Sequence, residues 1–298
     1  MENLREGRII KGISGFYYVD TGDGEVVTCK AKGIFRKDKK KPLVGDYVKI
    51  EPVEGQEEDV TALVDQILPR KNALIRPEVA GVDQALVLFA LTSPEPNFGL
   101  LDRFLIMMRR QNIPCLLCFN KTDLVDDAYV QDILKSYEQC GAEVFFFAAK
   151  EEPDFSFLRE RLVGKTTVLA GPSGVGKSTL TNRLFPDAGM ETGAISEKTE
   201  RGKHTTRHSE LFKIAEDTFL FDTPGFSAFD LAEDLSAEEL KEYYPEFYPY
   251  EGRCKFNPCS HTHEPKCVVK EAVGAGEIPQ MRYESYEALY KKCSDSRR

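Results

Sequence analysis

The stretch Gly171-Pro172-Ser173-Gly174-Val175-Gly176-Lys177-Ser178-Thr179 follows a β-rich run, Thr166 to Ala170, and precedes apolar residues at Leu180, Leu184 and Phe185. G-x-x-x-x-G-K-[ST] between a strand and a helix is a phosphate-binding loop. Its glycines let backbone N–H groups curl around phosphate oxygens, Lys177 neutralises charge at the β and γ positions, and Ser178 offers a hydroxyl to Mg²⁺. These residues predict a bound nucleoside triphosphate with Mg²⁺. Alone they leave ATP and GTP both open.

Two further stretches narrow the choice. Asn120-Lys121-Thr122-Asp123 follows the apolar run Ile113 to Phe119 and resembles the N-K-x-D base-recognition signature of GTPases. A carboxylate at Asp123 can accept from guanine N1–H and from the exocyclic amine, a donor pair that adenine does not present there. Asp222-Thr223-Pro224-Gly225 ends the strand-like Phe219-Leu220-Phe221 and looks like the D-x-x-G switch that senses Mg²⁺ and γ-phosphate. The order is unusual: base reading comes first, then the phosphate loop, then the switch. The GTPase domain is therefore read as circularly permuted. In these motifs and their order the chain resembles the RsgA family of circularly permuted GTPases that depend on the small ribosomal subunit.

The resemblance implies an enzyme that hydrolyses GTP to GDP and phosphate, is stimulated by the small ribosomal subunit, and acts in late subunit assembly through rRNA binding. It aligns Ala148-Ala149-Lys150 with a base loop of the type S-A-K, from which this chain departs at Ala148. Ala149 and Lys150 remain as base contacts, because that loop works largely through backbone N–H. The polar stretch Pro186 to His208 reads as the first switch, with either Thr205 or Thr206 closing on Mg²⁺ and γ-phosphate. Where many GTPases carry a water-positioning Gln after the D-x-x-G motif, this chain has Phe226. His204 resembles the switch histidine of the family and is expected to take the Gln role, with Lys177 stabilising transition-state charge. Two alternatives stay open on the sequence: a P-loop ATPase or kinase, and an RNA-binding scaffold whose nucleotide is structural.

Cys254, Cys259 and Cys267 lie close to His261 and His263. Three thiols and one imidazole fit a closed, tetrahedral, structural zinc site. The spacing C-x₄-C-x-H-x₅-C matches the family motif, which implies Cys254, Cys259, His261 and Cys267 as ligands. Cys115 and Cys118 also form a C-x-x-C, but three residues apart on a strand they point to opposite faces and read as core thiols.

The elements that must carry these groups emerge from periodicity. Short β-rich runs from Arg8 to Leu68 predict an N-terminal OB-fold β-barrel. Lys30 to Lys41 is rich in cations, which fits either a phosphate-contacting surface or a solubilising loop. Beyond a Pro-bounded connector, buried apolar runs alternating with helical patterns predict a central α/β GTPase domain. The remainder reads as a mostly helical zinc-binding domain, with Ser236 as an N-cap. The boundaries fall at 1–70, 71–230 and 231–298. With 41% hydrophobic and 30% charged residues the composition is that of an ordinary globular protein, and a net charge of −9 argues against a sheath of nucleic acid. No apolar run is long enough to span a membrane and no secretory leader is legible. The expectation is a cytoplasmic monomer whose partners are GTP or GDP and the small subunit with its rRNA, without DNA or membrane.

Overall fold

The computed structural model describes residues 4–37, 41–53, 60–75, 78–186, 209–222 and 235–295. His204, Thr205, Thr206, Gly225 and Phe226 lie outside the described residues, as does the side chain of Asp222. The chain divides into two compact units, Met1–Ala85 with Asp154–Ala170 and Ser178–Phe226, and Leu86–Pro153 with Gly171–Lys177 and Ser227–Arg298.

The first unit begins with β1 (Arg5–Ile13), β2 (Phe16–Asp20), β3 (Val26–Ala31), α1 (Ile34–Lys37), β4 (Tyr47–Pro52) and β5 (Ala62–Ile67). The ladder runs β1-β2-β3-β5-β4 and closes by pairing β4 with β1, with β3 and β5 parallel. This is the expected five-stranded, OB-like barrel. Its interior is set by period-2 alternation: Val27 and Cys29, Val48 and Ile50, and Ala62 and Val64 are buried while their neighbours are not. After the two-residue strands β6 (Ala73–Leu74) and β7 (Val79–Ala80) comes β8 (Gln84–Ala90), buried throughout, which starts in this unit and belongs to the second from Leu86 on. The same unit holds α4 (Ser156–Leu162), β11 (Thr166–Ala170), β12 (Glu210–Ala215) and β13 (Thr218–Asp222), with β11 parallel and β12 antiparallel to β13.

Part of the basic stretch is paired on the outer face of the barrel. Lys32 Nζ is 2.5 Å from Glu51 Oε2 and also pairs with Asp65, while Lys30 Nζ lies 4.9 Å from the centre of the Phe16 ring. These cations are bound to the barrel itself, which narrows the phosphate-contacting reading of this stretch.

Arg8 pins the barrel to the GTPase strands of its unit. Its guanidinium donates to Gly45 O (3.2 Å), Gly81 O (3.3 Å) and Thr166 Oγ1 (2.8 Å), and lies over the rings of Tyr47 and Phe219. Burial pulls it below its ordinary value, and nearby Tyr47 and Asp83 oppose that pull. Arg8→Met keeps the aliphatic stem but leaves buried acceptors without a donor, at a cost of about 2–4 kcal/mol. Urea denaturation should show a lowered midpoint; an unchanged midpoint would remove the pin.

In the second unit β9 (Cys115–Asn120) and β10 (Glu143–Phe147) pair in parallel, flanked in sequence by α2 (Phe98–Arg110) and α3 (Asp127–Tyr137). Asn97 and Asp126 cap the two helices through side-chain acceptance from Leu100 N and Tyr129 N. Cys118 is a buried core thiol and Cys115 a half-buried one at the start of β9, both raised chiefly by burial, Cys115 to about 12.

The C-terminal segment departs from the expected helix over 235–242. Ser236 and Glu239 do form a capping box, with Glu239 N donating to Ser236 Oγ and Ser236 N to Glu239 Oε2. The chain then continues, however, as a pair of 3-10 turns, Leu240–Tyr243 and Pro245–Tyr250. Proline at 245 and 249 removes backbone donors and prevents a regular α-helix. Then come α6 (Val268–Gly274) and α7 (Gln280–Asp295). Arg282 of α7 is buried, donates to Asp102 of α2 and, over 2.7 Å, to Glu246. Among the described residues no helix is long and apolar enough to cross a membrane.

Candidate nucleotide and metal sites

Parallel pairing places Phe147 opposite Asn120, so the loops after β9 and β10 leave the same edge of the sheet, where ligands bind in open α/β folds. Asn120 is 3% exposed. Its Oδ1 accepts from Lys121 N and Ala149 N, each at 2.8 Å, and its Nδ2 donates to Val175 O at 2.8 Å. One side chain therefore joins the base-reading loop, the Ala148-Ala149-Lys150 loop and the phosphate loop.

Lys121 adopts a left-handed φ of 67°, uncommon for a side-chain-bearing residue and tolerated where surroundings fix it. Its ammonium donates to Gly174 O at 3.0 Å and to Ser93 O. Asn120 and Lys121 thus face the protein, whereas Asp123, within the 3-10 turn Thr122–Leu124, is exposed at the sheet edge.

Close approach explains the loop's glycines. A Cβ on Gly171, at φ +145°, would lie 2.1 Å from Leu88 O, and one on Gly176, at φ +101°, would lie 2.4 Å from Asn120 Nδ2. Val175 is buried between exposed Ser173 and Gly174 on one side and α5 (Lys177–Leu184) on the other in sequence. Lys177 Nζ donates to Gly171 O (2.9 Å) and Pro172 O (2.7 Å), across the mouth of its own loop. Ser178 and Thr179 occupy the first turn of α5, and Asp222 ends β13 in register with Leu169.

The Cys254, Cys259, His261 and Cys267 ligand atoms all lie within 4.8 Å of one another. His261 Nδ1 is 3.6 Å from Cys254 Sγ and 3.3 Å from Cys267 Sγ, and Cys254 and Cys267 Sγ are 3.9 Å apart. A tetrahedral ion with ordinary zinc bond lengths would require roughly 3.6 Å between S and N and 3.8 Å between two S atoms. The residues fit a metal ion. The His263 side chain is 79% exposed and its Nδ1 is 3.0 Å from Thr262 Oγ1. It takes no part in the cluster. Burial pushes Cys259 up to about 12, so a thiolate there needs a cation at bonding distance.

The ligand loop is gripped from outside. Lys241 Nζ donates to Cys259 O (3.1 Å), Tyr286 OH to Ser260 O (2.5 Å) and Tyr283 OH to His261 O (2.7 Å). Glu264 accepts from Ser260 N (2.7 Å) and Ser260 Oγ (2.9 Å) inside the loop. Tyr283 and Tyr286 of α7 are buried against this loop. Their three-residue spacing on a helix is the available signal.

Against known proteins, a family model described as RsgA GTPase matches residues 67–232 and one described as RsgA N-terminal domain matches residues 6–59. The chain is 49% identical to a protein of Agathobacter rectalis named small ribosomal subunit biogenesis GTPase RsgA, over 97% of this chain and 98% of the relative. It is 45% identical to a protein of the same name from Alkaliphilus metalliredigens, over 99% and 100%. Its fold is similar to the crystal structure of YloQ, described as a circularly permuted GTPase, with a TM-score of 0.74, 37% identity, and 98% and 96% coverage. It is also similar to YjeQ from Thermotoga maritima, with a TM-score of 0.78, 32% identity, and 97% and 98% coverage. The chain belongs to the RsgA GTPase family and is a GTP-hydrolysing enzyme.

Proposed function

We propose that this chain binds and hydrolyses GTP as a switch in late assembly of the small ribosomal subunit, which stimulates it, and that it grips rRNA through the barrel and the C-terminal module. The observation that carries the nucleotide part is the junction at Asn120, which fixes a base-reading loop and a phosphate loop to each other. The names of the relatives support the ribosomal part. In this reading the domains span 1–70, 71–230 and 231–298, the protein is a cytoplasmic monomer, and neither DNA nor membrane is a partner.

Asp123 accepts from the guanine edge, with Thr122 in the same turn. Ala149 N–H holds its loop to Asn120, so Lys150 N–H is the donor left for the purine carbonyl. Gly171 to Thr179 surround the phosphates, and Lys177 exchanges its two carbonyl partners for phosphate oxygens. Ser178 and Thr206 hold Mg²⁺, with Thr205, Asp222 and Gly225 completing the γ-phosphate contacts. Held there, Mg²⁺ would supply neutralisation of the charge that develops on the phosphate. His204 orients the attacking water. Cys254, Cys259, His261 and Cys267 hold a structural Zn²⁺.

The test is turnover of GTP, with ATP as control, alone and with purified small subunits, large subunits or whole ribosomes. Small subunits alone should accelerate GTP turnover on the order of 10²-fold or more, as expected where a partner completes a GTPase site. His204→Ala should lose about 10²-fold of that stimulated rate at unchanged GTP affinity. A slow rate that no ribosomal particle alters would remove the ribosome from the proposal, and a His204→Ala variant with intact stimulated turnover would remove the water-positioning role.

A further inference from the structure

One side chain of the C-terminal helix reaches both helices that flank β9. Arg282 is 2% exposed, binds Asp102 of α2 and Glu246 of the second 3-10 turn, and lies over the rings of Tyr137 (5.2 Å) and Tyr244 (4.8 Å). Tyr137 ends α3, and its hydroxyl donates to the same Asp102 oxygen at 3.1 Å. On another side the Tyr137 ring meets Phe119, centroids 5.5 Å apart. Phe119 immediately precedes Asn120, and Asp126, the N-cap of α3, closes the loop that contains Asp123. The base-reading loop is therefore suspended between the end of β9 and the start of α3. Both are tied to the Tyr137 ring, Phe119 by direct contact and α3 because Tyr137 is its last residue.

We infer that Arg282 is a positioning residue for guanine recognition: from the C-terminal module it fixes α3 through Tyr137 and thereby sets where Asp123 stands relative to the purine. A helix of the length of α3 is stiff, so displacement at Tyr137 moves the loop at its other end as well. Besides its junction with Asn120 and Lys121, the phosphate loop is seated at Gly171 against Leu88 of β8, outside the base-reading loop. Loss of Arg282 should thus weaken the reading of the base more than the holding of phosphates. This inference rests on Asp123 reading guanine.

The experiment compares GDP with inosine diphosphate, which lacks the exocyclic amine, by competition against a fluorescent GDP on the full-length, metal-loaded chain. The ratio of the two dissociation constants belongs to folded molecules only, so partial unfolding leaves it unchanged. Arg282→Met should lower the ratio about tenfold, within the usual range of coupling between sites. Tyr137→Leu, which leaves the ion pairs in place, should lower it in the same direction and serves if Arg282→Met does not fold. Arg8→Met, a destabilising change in the other unit, should leave the ratio at the wild-type value. A wild-type ratio retained in the foldable variants overturns the inference. A wild-type chain that does not distinguish the two nucleotides overturns the Asp123 assignment and this inference with it, and the two failures are told apart by the wild-type value alone.

Discussion

Replacing Gly176 with alanine should abolish guanine-nucleotide binding while the chain stays folded. The new Cβ would meet Asn120 Nδ2 at 2.4 Å, at a backbone φ of +101°. That amide is not the free end of a flexible side chain. It is buried and donates to Val175 O while its oxygen holds Lys121 N and Ala149 N. Any retreat of Asn120 therefore breaks bonds on three loops. Backbone strain costs about 1–3 kcal/mol, and unpairing buried polar groups costs about 1–3 kcal/mol more. A combined loss of about 3–5 kcal/mol corresponds to binding weaker by roughly 10²–10³-fold or more. Titration with fluorescent GDP reads this directly. Asn120→Ala should match it, and the double variant should be little worse than either single one, because both disrupt the same contacts. Gly176→Ala with near-wild-type affinity would sink the account.

The second large effect lies at the metal cluster. His261→Ala and Cys267→Ser should each lose bound metal and cooperative unfolding of the C-terminal module, whereas His263→Ala should lose neither. Cys259, His261 and Cys267 are buried, so without a cation these polar ligands have no solvent to fall back on. Structural zinc contributes about 10–16 kcal/mol of apparent binding in small modules. The loss here should be smaller, because Lys241, Tyr283 and Tyr286 hold the carbonyls of the ligand loop independently of metal. Metal analysis and thermal melting with and without a chelator would check both halves. Metal retained by His261→Ala would reassign the histidine ligand.

The phosphate loop, the permuted order of motifs, the barrel and the Cys/His cluster were legible because each depends on residue type at fixed spacing along the chain. Asn120 was legible only in part. Its motif is local, but its task of joining three loops depends on Val175 and Ala149, far away in sequence. Arg8 and Arg282 gave no signal at all, since a buried arginine and an exposed one look alike until distant acceptors are brought around them. Lys32 was ambiguous for the same reason: it lies in a basic stretch open to either reading, and its pairing with Glu51 and Asp65 shows only in the fold. The segment after Ser236 carried a correct capping signal, but Pro245 and Pro249 turned its continuation into 3-10 turns.

Strand β1 also belongs to two ladders. One edge of it pairs with β2; the other closes the barrel on β4 over Arg5 to Arg8 and then meets β12 at a single described rung, Lys11 opposite Glu210, where the side chains pair at 3.0 Å. Glu210 opens the strand that directly succeeds the stretch expected to sense γ-phosphate. Lys11 and Arg8 both join the barrel to the GTPase strands of this unit, so a partner that displaced the barrel would carry Glu210, and with it the start of β12, along.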